Sequence, residues 1–273
     1  MGYIDLHIHT TASDGTHEPD ELISEILAKG ITHFSVTDHD SIDHIKTLIR
    51  LAKENNLEFI PGCEISVMYE NQELHILTYG IDLKDQALQA ILAENILIRE
   101  VHNNALIQYA CTKTSLITFE DYQKYEDDRA RGGWKSINYL VERGVIKDLG
   151  EFFDLIKDFG TPLTFKPHYE MLPRLKELGY PLVLAHPPAY FKGARLSEAW
   201  LDELRMLGIT GIECYSPYSK HPEDSDYYID YCMKHHMQIT CGSDYHGRFI
   251  KTRHLASPSK RPEELMIKGF DFL

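Results

Sequence analysis

A chain of 273 residues is long enough to bury one sizeable core, and since α/β barrels of about 250 residues are routinely single domains, two equal domains are not expected. The 43% hydrophobic and 26% charged shares exclude disordered and fibrous classes. The formal charge of −14 excludes a broad electrostatic grip on duplex nucleic acid, which comes from Lys and Arg neutralising phosphates, so an anionic substrate needs local positive charge or bound cations.

In chain order, the first apolar run spans 2–9 and contains "YIDLHIH". Side chains on a strand alternate between faces, so Asp5, His7 and His9 share one face while Ile4, Leu6 and Ile8 share the other. "EPDELISEILAKG" (18–30) reads as a helix, with Pro19 in its first turn, an apolar stripe of Leu22, Ile23, Ile26 and Leu27, and Gly30 as the stop. Runs 31–37 and 57–66 follow, separated by the helical "SIDHIKTLIRLAKENN", and then run 73–80.

Residues 85–180 carry helical patterns with little strand signal, including "NILIREVHNNALIQYAC" and "GGWKSINYLVERGVI". They read as a helical insertion or cap subdomain, with the main domain built from 1–84 and 181–273. Runs 181–186, 209–215 and 238–243 complete the strands, the first two preceded by the helical "RLKELGY" and "SEAWLDELRMLG". The tail "SPSKRPEELMIKGFDFL" reads as a proline-started helix closing the domain. Helix, stop residue and apolar strand in alternation predict βα units and a mainly parallel sheet.

No apolar run nears the ~18 residues of a membrane span, and the N-terminus lacks the basic and apolar regions of a signal peptide, which points to a cytoplasmic protein without membrane contact. The five cysteines form no C-x-x-C pair and read as reduced, mostly buried thiols.

Active sites of βα barrels gather where strands end, so the residues closing each run are the ones to inspect. The first run ends in His7, His9 and then Asp14, the second in His39, the third in Glu64, the fourth carries His75, the fifth ends in His186, and the seventh in Asp244 and His246. The sixth, "GIECYSP", offers no clear member, although Glu213 and Tyr215 are nearby. Six imidazoles and three carboxylates exceed the three or four ligands of a single zinc site, so two or three divalent cations are expected, with Mn²⁺, Fe²⁺ or Zn²⁺ the best match to this donor set. Metal-bound histidines usually donate their other N–H to an acid, and Asp5, Asp38 and Asp40 are the adjacent candidates.

The motifs "DLHIHTTASDG", "VTDHDS", "GCEIS", "LHIL", "AHP" and "GSDYHG" together resemble the PHP (polymerase and histidinol phosphatase) family of metal-dependent phosphoesterases over most of residues 3–80 and 181–250. The "SDG" at Asp14 is similar to its small stand-alone nucleotide-phosphoesterase branch. The resemblance implies an α/β fold, a distorted (β/α)7 barrel with a helical insertion between the fourth and fifth strands, around a trinuclear centre. In that scheme His7, His9, Glu64 and Asp244 bind one metal, Glu64 bridges to a second held by His75 and His186, and Asp14, His39 and His246 hold the third.

The implied activity is hydrolysis of nucleotide-type phosphate esters by attack of a metal-bridging hydroxide. Nucleoside monophosphates, 3′,5′-bisphosphates and the 5′ ends of short oligonucleotides are the substrates considered. A histidinol-phosphate phosphatase is the alternative within the family, and a non-catalytic metal-stabilised scaffold is the alternative of another class. For substrate phosphate, Arg131 and Lys135 in "EDDRARGGWKSI" are candidates, with Lys166 and His168 behind them. His221 is a candidate general acid.

Overall fold

The computed structural model describes residues 2–273. Among these residues the fold is mixed α/β, with eight strands in two sheets. β1 (Tyr3–Asp5), β2 (Ile31–Phe34) and β3 (Glu58–Phe59) form a parallel three-stranded sheet in that order. Helices α1 (Pro19–Ala28) and α2 (Ile45–Glu54) make the connections. In α1, Pro19 occupies the first turn, where its missing N–H costs nothing, and Leu22, Ile23 and Ile26 are buried while Leu27 faces solvent.

The second sheet runs β4 (Gly62–Tyr69), β5 (Gln72–Tyr79), β6 (Leu182–Leu184), β7 (Gly211–Tyr215) and β8 (Gln238–Cys241). β6, β7 and β8 are parallel, but β5 is antiparallel to both β4 and β6. Four of the six strand pairings are parallel, in line with the expected mainly parallel arrangement; β5 is the exception, and the cause is local. Only Glu70 and Asn71 separate β4 from β5, too few for a crossover, and Glu70 takes the positive φ of 50° that suits a tight hairpin. The expected single run 57–66 is likewise divided into β3 and β4 around Pro61, which has no N–H to continue a ladder.

The sheets do not close into a seven-stranded ring. They meet through isolated bridges between Ile8 and Tyr245 and between His39 and Glu64. Beyond β1 the chain stays extended: Leu6 N–H donates to Cys241 O at 3.1 Å and His9 N–H to Tyr245 O at 2.8 Å. These junctions bring the ends of both sheets to one place.

After β5 come α3 (Gln86–Lys113), α4 (Phe119–Lys124), α5 (Lys135–Glu142), α6 (Leu149–Phe159) and α7 (His168–Glu177). α3 serves two cores. Its Leu88, Ile91 and Leu92 pack with the five-stranded sheet, whereas Leu106, Ile107 and Ala110 pack with Tyr122, Ile137, Leu140 and Phe152 of the helical segment. α7 returns to the sheet side through Met171, Leu172 and Leu175. α8 (Glu198–Leu207) and α9 (Pro222–His235) connect the last strands.

The tail is not the expected helix. It forms a short 3₁₀ turn at Pro262–Glu264, then runs extended, with Met266 and Ile239 exchanging backbone hydrogen bonds at 3.0 and 3.1 Å and Phe270 buried against Tyr79. Leu265 and Ile267 pack on the same core at a spacing of two, which fits an extended chain. Among the described residues no helix is long and apolar enough to cross a membrane.

Candidate metal centre

The alternation read from "YIDLHIH" holds, but both faces are interior. Ile4, Leu6 and Ile8 are fully buried among apolar residues, and Asp5, His7 and His9 are buried on the opposite, polar side. The nine side chains singled out at strand ends converge there in four overlapping groups: His9, Asp14, His39 and His246; His7, Glu64 and His186; His7, His9 and Asp244; His39, Glu64 and His75.

Glu64, fully buried on β4, is the hub. Its Oε2 lies 3.2 Å from His7 Nε2, 3.2 Å from His9 Nε2 and 3.1 Å from His39 Nδ1. Its Oε1 lies 3.0 Å from His75 Nδ1 and 3.2 Å from His186 Nε2. Asp244 Oδ1 stands 3.2 Å from His9 Nε2 and 3.5 Å from His7 Nε2. Asp14 faces His246 Nε2 at 3.4 Å and His9 Nδ1 at 3.6 Å. His186 (φ 30°) and Asp244 (φ 50°) both hold left-handed backbone, a strain found where surrounding structure fixes a functional side chain.

The donors fit divalent cations. Nitrogen and oxygen ligands ~2.1 Å from one ion and at right angles to each other stand ~3 Å apart, close to the spacing around Glu64. His39 Nδ1, His75 Nδ1 and Glu64 Oε2 are buried and make no hydrogen bond, because their close approaches are too poorly aligned to be one. Buried polar atoms without partners are costly, and a shared cation satisfies them together.

The electrostatics agree. Burial alone raises a carboxyl, yet in Glu64 it is outweighed by His7, His75 and His39, and in Asp244 by His246 and His7, so both lie well below the usual range. Burial disfavours charge on His9, but Asp244 and Glu64 overcome it and raise that ring to about 10. His75 rises to about 10 against burial, through Glu64 and Glu73. His39 goes the other way, pushed down to about 3 by burial and by the His9 and His75 charges.

The three acids expected to orient these rings accept instead from backbone N–H groups and from hydroxyl and amide side chains. Asp5 accepts from the N–H of Ser243 (2.9 Å) and of Ala256 (2.8 Å), and burial pushes its carboxyl up to about 6. Asp38 accepts from Thr10 N–H at 2.7 Å and Ser13 Oγ at 2.6 Å, while Asp40 accepts from Asn95 Nδ2 at 2.7 Å and Ser66 N–H at 3.2 Å. The ring partners are two acids that strand alternation did not single out: Glu213 beside His7 Nδ1 at 3.1 Å, and Glu73 beside His75 Nε2 at 3.3 Å. A signal for both was present, since each lies on a strand at an otherwise apolar or ligand-bearing position.

A cavity of about 490 Å³ adjoins the cluster through His39, Ser13 and Asp40, within the range of ligand pockets. Its other walls include Arg99 of α3, Arg129, Trp134 and Lys135. The Arg99 guanidinium lies 4.4 Å over the Trp134 ring and is held by Ser66 Oγ at 3.0 Å and Glu73 Oε1 at 3.3 Å. Gly132 and Gly133 both take φ 71°, and Gly133 N–H donates to Asp14 O at 2.8 Å. A Cβ on either glycine would press into Phe249, so the pair lets this segment lie against the Asp14 loop.

Of the predicted substrate residues, only Lys135 lines this cavity. Arg131 turns to Glu142 at 2.9 Å and Tyr125 Oη at 3.3 Å. Lys166 pairs with Glu94 at 3.0 Å, and buried His168 sits between Met68 O at 3.2 Å and Glu203 at 3.0 Å. His221 is exposed at the start of α9, beside a separate pocket lined by Tyr215, Ser219 and Lys220. Arg99 and Arg129 carried no sequence signal distinguishing them from ordinary helix and loop charges. Arg253 is a further missed cation, 4.1 Å over the Tyr218 ring and 3.7 Å from Asp244, to which Tyr218 donates at 2.8 Å.

The chain is 27% identical to a 3′,5′-nucleoside bisphosphate phosphatase of Chromobacterium violaceum, with 90% of this chain and 88% of the relative covered. It is 26% identical to a 5′-3′ exoribonuclease of Haemophilus influenzae, with 89% of each covered. A solved chain from Bifidobacterium adolescentis superposes with a TM-score of 0.82 at 23% identity, covering 95% of this chain and 93% of that one, so the fold is shared. The PHP domain matches residues 5–161, more than half the chain, and the protein belongs to the PHP domain family.

Proposed function

We propose that this protein is a metal-dependent phosphoesterase acting on phosphate esters of nucleotide type, with the nine side chains holding two or three divalent cations of the manganese, iron or zinc class. One observation carries the reading: a fully buried carboxylate, Glu64, with five imidazoles at 3.0–3.2 Å, opening through His39 onto a cavity that bears Arg99, Arg129 and Trp134. Bound cations supply a water of lowered pKa and neutralise charge on the phosphoryl group.

The protein's own residues do the rest. Glu64 and Asp244 are the shared acceptors that gather the imidazoles, and Tyr218 holds the second oxygen of Asp244. Arg99 and Arg129 bind phosphate oxygens from the cavity side, and the Arg99–Trp134 stack offers cationic and aromatic surface together, which suits a phosphate joined to a base. Residues 85–180 act as a cap whose α3 and α5 wall the cavity opposite His39. The two sheets are read as an opened form of the distorted (β/α)7 barrel, in a protein of the cytoplasm.

The named activities of the relatives support the nucleotide class. Phosphate release by metal-analysed protein with Mn²⁺ tests the reading, across 3′,5′-bisphosphoadenosine, AMP, a 5′-phosphorylated oligoribonucleotide and histidinol phosphate. Turnover of a nucleotide substrate that Asp244→Asn abolishes is the expected result. Turnover of histidinol phosphate alone would overturn the substrate class.

A further inference from the structure

Glu213 stands outside the nine donors, yet it is as deeply buried as they are. Lying on β7, it reaches two of them at once: Oε1 is 3.1 Å from His7 Nδ1, and Oε2 accepts the backbone N–H of His186 at 2.8 Å. The His7 and His186 rings are stacked, with centroids 5.4 Å apart. β8 runs on past this pair at Gly242, where any side chain would collide with His7 Cβ and with Glu213 Oε1. Glycine there lets the carboxylate and the ring meet.

We infer that Glu213 is a positioning residue that fixes the tautomer of His7 and the backbone of His186, presenting both imidazoles to Glu64 in metal-binding form. The inference rests on the metal-centre reading above. A neutral imidazole that donates from Nδ1 keeps its lone pair on Nε2. His7 Nε2 is the atom that faces the cluster, 3.2 Å from Glu64 Oε2 and 3.1 Å from His9 Nε2. His186 sits at φ 30° and ψ 55°, a conformation that a residue with a Cβ seldom adopts, and the bond to its N–H helps to hold it.

Both contacts need an acceptor, and this decides the residue type. A carboxylate offers two acceptors, whereas the isosteric amide of glutamine offers one. In Glu213→Gln the NH₂ must face either the His186 N–H, donor against donor, or His7 Nδ1. The second arrangement moves the ring proton to Nε2, into the space where a cation would bind.

Mn²⁺ titration of metal-stripped wild type and Glu213→Gln, with circular dichroism of both, tests this directly. The expected result is affinity weakened about 10–100-fold in a variant that keeps the wild-type spectrum. Unchanged affinity would overturn the inference while leaving the metal centre standing, and wild type that takes up no metal would overturn both. Should the variant fail to fold, ¹⁵N-histidine spectra of Zn²⁺-loaded wild type decide the matter. His7 protonated at Nδ1 supports the role, and His7 without a proton there overturns it.

Discussion

The metal centre and the cavity beside it share His39 as a wall, yet they are assembled differently. In the centre, five imidazoles from four stretches of backbone end on one carboxylate, so each is placed by the strand, or the strand end, that carries it. In the cavity, basic residues close in sequence part company: Arg129 and Lys135 line it while Arg131, between them, turns out to Glu142. Strand ends dictate position through the backbone. Side chains of the helical segment choose among nearby acids, and a long flexible side chain has several choices of similar energy.

The sharpest way to break this comparison is Glu64→Gln. If the carboxylate is the hub, its loss removes metal and lowers kcat by ~10³-fold or more, because the charge at the reacting phosphoryl group is no longer balanced. Elemental analysis beside the rate measurement separates the two losses. A variant retaining full metal and activity would mean the convergence on Glu64 has no functional weight.

Removing the cations from the wild-type protein is the next largest effect. A ligand at 100 times its Kd contributes ~2.7 kcal/mol per site, which for a chain of this size is a fall in Tm of about 5–10 °C on chelation. The pH dependence has a definite sign. In the metal-free protein His9 and His75 lie raised at about 10, so the stability they contribute is fully present below the unfolded value of ~6.5 and is lost as pH rises toward 10. Metal uptake displaces those protons, so apparent affinity climbs over the same interval. Thermal melts with and without chelator from pH 6.5 to 9 are expected to diverge, and parallel curves would contradict the coupling.

How much was legible follows the same division. The nine donors were readable because each ends or follows a β-like run or, as with His75, lies within one, and period-two alternation places His7 and His9 together whatever the sheet does next. The hairpin of β4 and β5 was not, since the runs 57–66 and 73–80 leave 67–72 as a gap, and only the extension of β4 to Tyr69 reduces it to a two-residue turn. Asp5, Asp38 and Asp40 misled because proximity in sequence says nothing about which group a carboxylate accepts from. Each captures nearby backbone N–H or hydroxyl groups, while Glu213 reaches the His7 ring from β7 and Glu73 reaches the His75 ring along β5 itself. His168 similarly looked like a substrate residue and is a buried link between Met68 O and Glu203.

Arg99→Ala sharpens the cavity side of the comparison. A hydrogen bond to a charged group is worth ~1.5–3 kcal/mol, so kcat/KM is expected to fall about 10–100-fold on a nucleotide substrate, with Arg131→Ala close to wild type. Because Arg99 also braces Glu73 and Asp40, the metal content of the variant should be measured alongside. Equal losses at Arg99 and Arg131 would mean that the side-chain directions seen here do not select the phosphate-binding residue.

The smallest expected effect is at His221, and it is informative because the rival outcome is large. A general acid contributes typically ~10²–10⁴-fold, so its removal would be unmistakable. His221 instead begins α9 on the surface, with its backbone N–H donating to Asp224 at 3.1 Å and its surroundings formed by Lys220, Pro222 and Pro258 rather than by any of the nine donors. His221→Ala therefore removes one solvated ring, leaves the Asp224 cap intact, and should leave both kcat and its pH profile unchanged. A hundredfold loss would require the loop before α9 to swing over the cluster during turnover, and would move the comparison from two fixed regions to one fixed region and one that closes.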